Sequence, residues 1–402
     1  MKKIHLFLFF TFLFNISFSA TIKFWHSWSG EEAAILSSVV AKYESASGNK
    51  VIISGVPFDA FQSKFKGMSS RGTPPDVIVG PADWLGIFAS SNLLLPLDSH
   101  ISESDKKDFI KSSISSCYFN NTLYGLPESV RILALYYNKT LIPVAPSNTK
   151  DLIESGLKIT NEDDGVFGLV YPKGAYYYHI PWVTGFGGKI LDDNNNPTFN
   201  SKEQIASIKF ARSLTVGHKK IMPEGELNMD LTLMMFNQEM AGMMIGGNWL
   251  LGDLKKNRRI KLGVAKLPIV SETNIPAKPI AGFDILMISS KSPSKEAAID
   301  FIQFLTSSDI QGEFVKAGHI PSRDSVYDMR KVKNSGFYEE LKIFREQLDN
   351  SVPMPSAPEM NYGIWDQGNL MVQELFNTNN SFGSIVRDAQ HRALKRINDF
   401  KK

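Results

Sequence analysis

The stretch Asn120-Asn-Thr-Leu-Tyr-Gly-Leu-Pro-Glu-Ser-Val-Arg-Ile-Leu-Ala-Leu-Tyr-Tyr-Asn-Lys139 decides how the chain is read. Asn120-Asn121 is a turn, and Gly125 and Pro127 interrupt the apolar and aromatic residues that follow it. From Ile132 to Tyr137 the chain is apolar and β-prone, short enough for one strand. Glu128, Ser129 and Arg131 are polar residues in the middle of the passage. A segment of this kind can carry the chain between two compact units while holding side chains between them, which is the description of a hinge.

The rest of the chain is consistent with two units. It has 402 residues, 43% of them hydrophobic and 21% charged, a globular balance. The length exceeds what one core supports, so two domains are expected. Formal net charge is +3, and Lys2 and Lys3 account for most of it. The near-neutral remainder gives no footprint for nucleic acid or an anionic membrane surface. Those two lysines, the apolar run Leu6–Phe14 and the small residues of Ser17-Phe18-Ser19 have the form of a signal peptide, read as residues 1–19. No later apolar run reaches membrane-spanning length, so an exported, soluble protein is expected. The single cysteine, Cys117, is far from the cleavage point, where a lipid anchor would need one. It excludes an internal disulfide, and it reads as a packing residue rather than a nucleophile.

Taken in order, Ile22–Trp25 is a strand and Ser29 with Glu32 fits a capping box. Leu36, Val39, Val40 and Tyr43 follow at helical spacing, Gly48-Asn49 ends the helix, and Val51–Val56 is the next strand. This βαβ unit opens an α/β domain with a mainly parallel sheet. Phe58–Ser69 is a second helix and Asp76–Gly80 a third strand. The loops His26–Ser29, Pro57–Asp59 and Gly80–Trp84 lie at the carboxyl ends of these strands, where ligands bind in such folds. Beyond the hinge, Tyr171 to Gly188 is the most aromatic patch of the protein. Ser201–Leu214 is an amphipathic helix, Leu231–Met240 another, and Ala241–Ile245 a strand ending in Gly246-Gly247-Asn248-Trp249. Lys278-Pro-Ile-Ala-Gly-Phe-Asp leads into the strand Ile285–Ser289. Ser292-Pro293 reads as a helix cap with proline at the first helical position.

Several of these segments, taken together, resemble the periplasmic solute-binding proteins of bacterial ABC importers, in the sugar-binding cluster that includes maltose/maltodextrin-binding proteins. The segments are Phe24-Trp-His-Ser-Trp-Ser-Gly, Gly72-Thr-Pro-Pro-Asp-Val-Ile-Val, and Tyr124-Gly-Leu-Pro through Leu135-Tyr-Tyr-Asn-Lys. Phe186-Gly-Gly-Lys, Met240-Ala-Gly-Met-Met-Ile-Gly-Gly-Asn-Trp, Gly263-Val-Ala-Lys-Leu-Pro and Gly318-His-Ile-Pro-Ser-Arg complete the series. Each is short, and their shared order and spacing carry the likeness. The resemblance implies an α/β, two-lobed periplasmic-binding-protein fold (class II), with mainly parallel sheets, helices on both faces and a ligand cleft between the lobes. It implies closure by hinge bending, docking onto membrane permease subunits, a periplasmic location and a monomer. One lobe would hold residues 20–128 plus 282–330 and the other 129–281 plus 331–402, with crossings near 128–131 and 278–284.

A sugar site needs aromatic rings for the C–H faces and planar polar groups for the hydroxyls. All six tryptophans (Trp25, Trp28, Trp84, Trp182, Trp249 and Trp365) fall at or near the proposed cleft loops; of these, Trp25 reads as core. The resemblance makes Trp249 and Tyr177 stacking residues, with Tyr176 and Tyr178 beside the latter; three adjacent tyrosines cannot all face one way. Trp365 lies one residue off another stacking position of the family. Asp83 matches an aspartate that accepts sugar hydroxyls. Ser29, Glu128, Asn248, Gly282 and Asp284 line the same loops and crossings and complete the candidate set.

Departures from the maltose-binding pattern matter equally. Arg131 and Ala175 stand where that pattern has cleft glutamates, Gly80 replaces an aromatic, and Trp84 replaces a polar residue and could add a stacking wall. Arg131 could fork to vicinal hydroxyls, pair with an anion, or form a salt bridge with Glu128 or another cleft acid. With a helix N-terminus after Ser29, it keeps glycerol-3-phosphate or a phosphodiester as the alternative ligand. An exported glycosidase, needing two converging carboxylates from Glu128, Asp83 and Asp284, has no supporting motif. Asp192-Asp-Asn-Asn-Asn has Pro197 where a calcium loop needs glycine, and reads as a surface turn. No metal or cofactor is expected.

Overall fold

The computed structural model describes residues 19–355, 357–377 and 381–401, so the leader lies outside the described residues apart from Ser19. Among the described residues, no helix is long and apolar enough to cross a membrane. Strand β1 (Thr21–His26) is followed by helix α1 (Gly30–Ser47), in which Leu36, Val39, Val40 and Tyr43 form the buried stripe. Gly48 ends α1 in the left-handed region at φ 74°, its N–H bonded to the Glu44 carbonyl, a conformation that costs glycine nothing. Strand β2 (Lys50–Gly55), helix α2 (Phe58–Ser70), strand β3 (Val77–Pro81) and helix α3 (Asp83–Ser90) complete the opening unit.

The stretch first quoted becomes two strands in two different sheets. Strand β4 (Gly125–Arg131) belongs to the first sheet and β5 (Leu133–Asn138) to the second, with only Ile132 between them. The second sheet adds β6 (Phe167–Val170), β7 (Ala241–Gly247) and β8 (Leu262–Ala265), in the order β8-β5-β7-β6. The chain returns to the first sheet along β9 (Ile280–Ile288) and then β10 (Ile320–Pro321), giving the order β10-β4-β9-β3-β1-β2, with Val352–Pro353 paired to β9. These sheets and their helices make the two α/β lobes.

The sheets are mixed. Parallel pairing in the first sheet joins β1 to β2 and β3, as the βαβ reading requires, and Val352–Pro353 to β9. In contrast, β9 is antiparallel to both β3 and β4, because β4 carries the chain out of the first sheet and β9 brings it back. In the second sheet β5 is antiparallel to β7 and β8, and β6 and β7 are parallel.

Local readings at the helix starts fare unevenly. Ser201 caps its helix by accepting from the Gln204 N–H at 3.1 Å, and Asn228 does the same for Leu231 at 2.9 Å. The capping box at Ser29 does not form: Ser29 is at the cap position, but its hydroxyl makes no cap bond, and Glu32 turns into the protein. The later helix starts at Lys295 behind Ser294, two residues beyond the expected cap; the Ser292 hydroxyl accepts from the Ser294 N–H at 3.1 Å and donates to Asp76 Oδ1 at 2.5 Å. Asp192 closes a turn on itself, its Oδ1 accepting from the N–H groups of Asn194 and Asn196, each at 2.8 Å. Cys117 is buried, which pushes its thiol well above the ordinary range.

Gly125 tests this packing. A Cβ there would meet the Ile285 side chain and the Leu286 carbonyl oxygen, the latter at 2.6 Å, and backbone cannot rotate away. Gly125→Ala is expected to cost about 1–3 kcal/mol. Gly225→Ala, with nothing within 4 Å, should change stability by no more than about 0.5 kcal/mol. Denaturant unfolding of the two variants beside the parent measures the difference.

Candidate functional site

The strand register places Arg131 opposite Gly282, at the end of β4 where the chain leaves the first sheet. A glycine opposite leaves the arginine side chain free to turn along the sheet, where two carboxylates meet it. Arg131 Nε and Nη2 donate to Asp284 Oδ2 at 2.7 and 2.6 Å, and Nη1 pairs with Glu32 Oε1 at 2.9 Å. The Trp28 indole N–H donates to the same Asp284 oxygen at 3.2 Å. Glu32 Oε1 also lies 2.8 Å from His319 Nε2, and His319 Nδ1 lies 3.0 Å from Glu128 Oε1. The imidazole is stacked on Phe314 at 4.9 Å and meets the Trp28 ring edgewise at 5.2 Å. Two cations and three carboxylates thus form one continuous, nearly dry cluster.

The ionisation of the cluster follows from this geometry. Burial lowers the His319 imidazole, but the charges of Glu128 and Glu32 and its hydrogen bonds to both outweigh burial and hold it at about 9. Burial alone would raise Glu32; Arg131 and His319 reverse that, and its carboxyl sits below the ordinary range. Arg131 follows the same logic: burial opposes its charge, and Asp284 and Glu32 more than restore it. The salt-bridge reading of Arg131 is therefore the one the structure takes, with Asp284 and Glu32 rather than Glu128 as partners.

Beyond Arg131 comes a group of rings. The guanidinium lies 5.4 Å from the Trp249 ring centre. Tyr177, at the start of helix α4 (Tyr176–Gly185), lies 6.4 Å from Trp249 and 6.3 Å from Trp365. Trp365 opens helix α5 (Trp365–Asn377) directly after a π-helical turn, Met360–Ile364, a feature common at functional sites. Its indole N–H donates to Asp83 Oδ2 at 2.9 Å, and Asn361 Nδ2 donates to the Asp83 carbonyl at 2.7 Å. Gln62 Nε2 in turn donates to Asn361 Oδ1 at 3.0 Å. Burial pushes the Asp83 carboxyl up to about 6, against the pull of Trp365 and Asn361. Tyr177, Trp249 and Trp365 are each only partly buried.

The structure brings together Trp28, Asp83, Glu128, Arg131, Tyr177, Trp249, Gly282, Asp284 and Trp365. Four other candidates have structural contacts instead. Trp84 packs among Phe58, Phe61 and Phe88 at 5.2–6.2 Å and is 3% exposed. It adds no wall, because its ring lies over Gly80, where a Cβ would come within 2.5 Å of it. Tyr176 is buried, its hydroxyl donating to Gln204 at 2.9 Å, and Trp182 is buried with its N–H on the Tyr171 hydroxyl at 3.2 Å. Of the three adjacent tyrosines, Tyr177 alone faces the ring group. Asn248 braces the passage between sheets: Oδ1 accepts from the Ile132 N–H at 2.9 Å and Nδ2 donates to the Gly318 carbonyl at 3.0 Å. Ser29 is exposed at the start of α1. Sequence reasoning missed Glu32, His319, Asn361 and Gln62. Only His319 carried a signal, as the histidine after a helix-ending glycine, Gly318 at φ 88°.

Two α/β lobes whose crossing strands carry a ring-lined polar site define a two-lobed binding protein. The chain belongs to the family of bacterial extracellular solute-binding proteins, whose match covers residues 38–339. A maltotriose-binding protein of Pyrococcus abyssi (strain GE5 / Orsay) is 23% identical over 384 residues, 94% of this chain and 80% of its own. A galactooligosaccharide-binding protein of Bacillus subtilis (strain 168) is 25% identical over 358 residues, 86% of this chain and 83% of its own. Among solved structures, the maltose/maltodextrin-binding domain MalE from Bdellovibrio bacteriovorus bound to maltotriose superposes with TM-score 0.86. It is 26% identical, covering 94% of this chain and 100% of that one. These relatives are named as binding proteins, not enzymes.

The His319 cluster makes stability depend on pH. The folded imidazole, at about 9, lies above the ordinary 6.5. Its contribution is complete below pH 6.5 and fades as pH rises through 9, a loss of about 3 kcal/mol. Thermal melts from pH 6 to 10 should show this decline in the parent. His319→Gln should be less stable at pH 6 and lack that part of the decline.

Proposed function

We propose that the chain is the capture component of an ABC importer and that its ligand is an oligosaccharide of two or more rings. The observation that carries this reading is the ring group of Tyr177, Trp249 and Trp365 beside the buried Asp83 carboxylate. Rings stack on the apolar faces of a sugar, while Asp83 and the Asn361 amide suit its hydroxyls. The names of the relatives, maltotriose- and galactooligosaccharide-binding, agree with that chemistry. Capture closes the lobes about the crossings near 128–131 and 278–284, with residues 20–128 plus 282–330 in one lobe and 129–281 plus 331–402 in the other. The loaded monomer, exported to the periplasm by its leader, then delivers the sugar to membrane permease subunits without chemical change.

The glycerol-3-phosphate alternative is not favoured. A phosphate needs uncommitted positive charge, and Arg131 is already held by Asp284 and Glu32, within a cluster where carboxylates outnumber cations. The glycosidase alternative fares no better, since Glu128 faces His319 and Asp284 faces Arg131 and Trp28.

Tryptophan fluorescence and thermal shift with maltotriose, a galactooligosaccharide, cellobiose, sucrose, trehalose and glycerol-3-phosphate test the proposal. An oligosaccharide should change the emission and raise Tm by linkage. Stabilisation by the phosphate ester alone would overturn the reading, as would release of reducing sugar.

Asp83→Asn separates stability from binding. The folded carboxyl titrates near 6 against an ordinary 3.8, so burying its charge destabilises the protein at pH 7 and ceases to do so near pH 4. The variant should melt higher than the parent at pH 7 and at the same temperature near pH 4. It should also bind the oligosaccharide about ten- to a hundredfold more weakly, through loss of a charged acceptor.

A further inference from the structure

The committed state of Arg131 raises the question of what the residue does for the ligand. A guanidinium has five N–H groups in a rigid fork. Nε and Nη2 are spent on Asp284 and Nη1 on Glu32. Its side chain is 17% exposed, and the Trp249 ring stands 5.4 Å from the guanidinium carbon. The other boundary of that ring is Gly247. A Cβ built on Gly247 would run into the Trp249 six-membered ring, so the indole lies against bare backbone. Tyr177 approaches from a third direction at 6.4 Å, tilted by 41°. Trp249 follows β7 of the second sheet directly, with Asn248 fastened to Ile132 and Gly318. The indole is therefore confined by a glycine that leaves it room and a cation that two carboxylates hold in place.

We propose that Arg131 is a positioning residue for ligand capture: it fixes the tilt of the Trp249 ring and does not itself contact the ligand. This rests on the oligosaccharide reading above. It makes Asp284 and Glu32 part of the same device, because they aim the guanidinium. It also changes what the replacement of a cleft carboxylate by arginine means. The exchange moves recognition at this end of the site from a hydroxyl contact to the orientation of a stacking surface. Specificity then depends on which sugar face lies parallel to a ring that is fixed before the ligand arrives, the general advantage of preorganisation.

A double-mutant cycle tests this: the parent, Arg131→Met, Trp249→Leu and the double variant, each titrated calorimetrically with maltotriose and each melted to verify folding. Arg131→Met should weaken binding about five- to thirtyfold in the parent background and less than twofold in the Trp249→Leu background. Equal losses in both backgrounds would mean direct contact and overturn the proposal, as would an unchanged affinity in Arg131→Met. Arg131→Met leaves Asp284 and Glu32 without their cation and could fail to fold, so Gly247→Ala provides an independent arm. It displaces the ring without altering charge, and should weaken binding by a similar factor with the same change in the near-ultraviolet circular dichroism of the indole. Unchanged circular dichroism in both Arg131→Met and Gly247→Ala would overturn the positioning role. Because that readout needs no sugar, a parent protein that binds no maltotriose would count against the ligand and leave the Arg131–Trp249 relation measurable.

Discussion

A guanidinium can leave water only where carboxylates meet it, and the rest of this structure is arranged around that requirement. Arg131 sits at the last residue of the outgoing strand. Satisfying it draws together the first helix through Glu32, the returning strand through Asp284, and the loop before the first helix through Trp28. His319 extends the same cluster to Glu128. The partners are separated by 153 residues for Asp284 and by 287 between Glu32 and His319. Such a cluster adds little net stability over an apolar core of the same shape, because desolvation offsets much of the attraction. Removing one partner, in contrast, costs about 3–5 kcal/mol. It joins these segments at the place where the chain passes between sheets.

That passage is short and tied on both sides. Ile132 is the only residue between the two strands. Its N–H goes to the Asn248 side chain, its carbonyl accepts from the Asn248 N–H at 3.1 Å, and the Asn248 amide reaches Gly318. The backbone of this passage is thus held by hydrogen bonds on both sides of one residue. The outgoing strand is held in register with the returning strand up to Asp284, where the pairing shifts by an irregularity.

Features that obey short-range rules were legible in the sequence. The buried stripe of Leu36, Val39, Val40 and Tyr43 follows from helical spacing, and the glycine at 48 from the backbone its position requires. That one tyrosine of three faces the rings follows from the direction of side chains on a helix, although only the structure selects Tyr177. What was illegible depends on distant partners. Glu32 stands three residues after Ser29 and satisfies a local capping rule, but Arg131 and His319 compete for its carboxylate and win, since charged partners in a dry setting outweigh an exposed amide. The tryptophans show the limit of composition: Trp182 and Trp365 look alike in sequence, and only packing makes one a core residue and the other part of the ring group. Strand direction was partly hidden too, because βαβ units announce parallel pairing while a returning strand leaves no local mark.

Gly80 and Trp84 look like two separate departures from the maltose-binding pattern, one losing an aromatic and one gaining it. In the folded protein they are a single exchange, because the Trp84 ring occupies the space directly above Gly80. The two positions are therefore not free to vary independently. Any side chain at 80 collides with the indole, and shortening residue 84 alone opens a cavity beside Phe61 and Phe88. A larger residue at 80 therefore needs a smaller ring or a displaced one at 84.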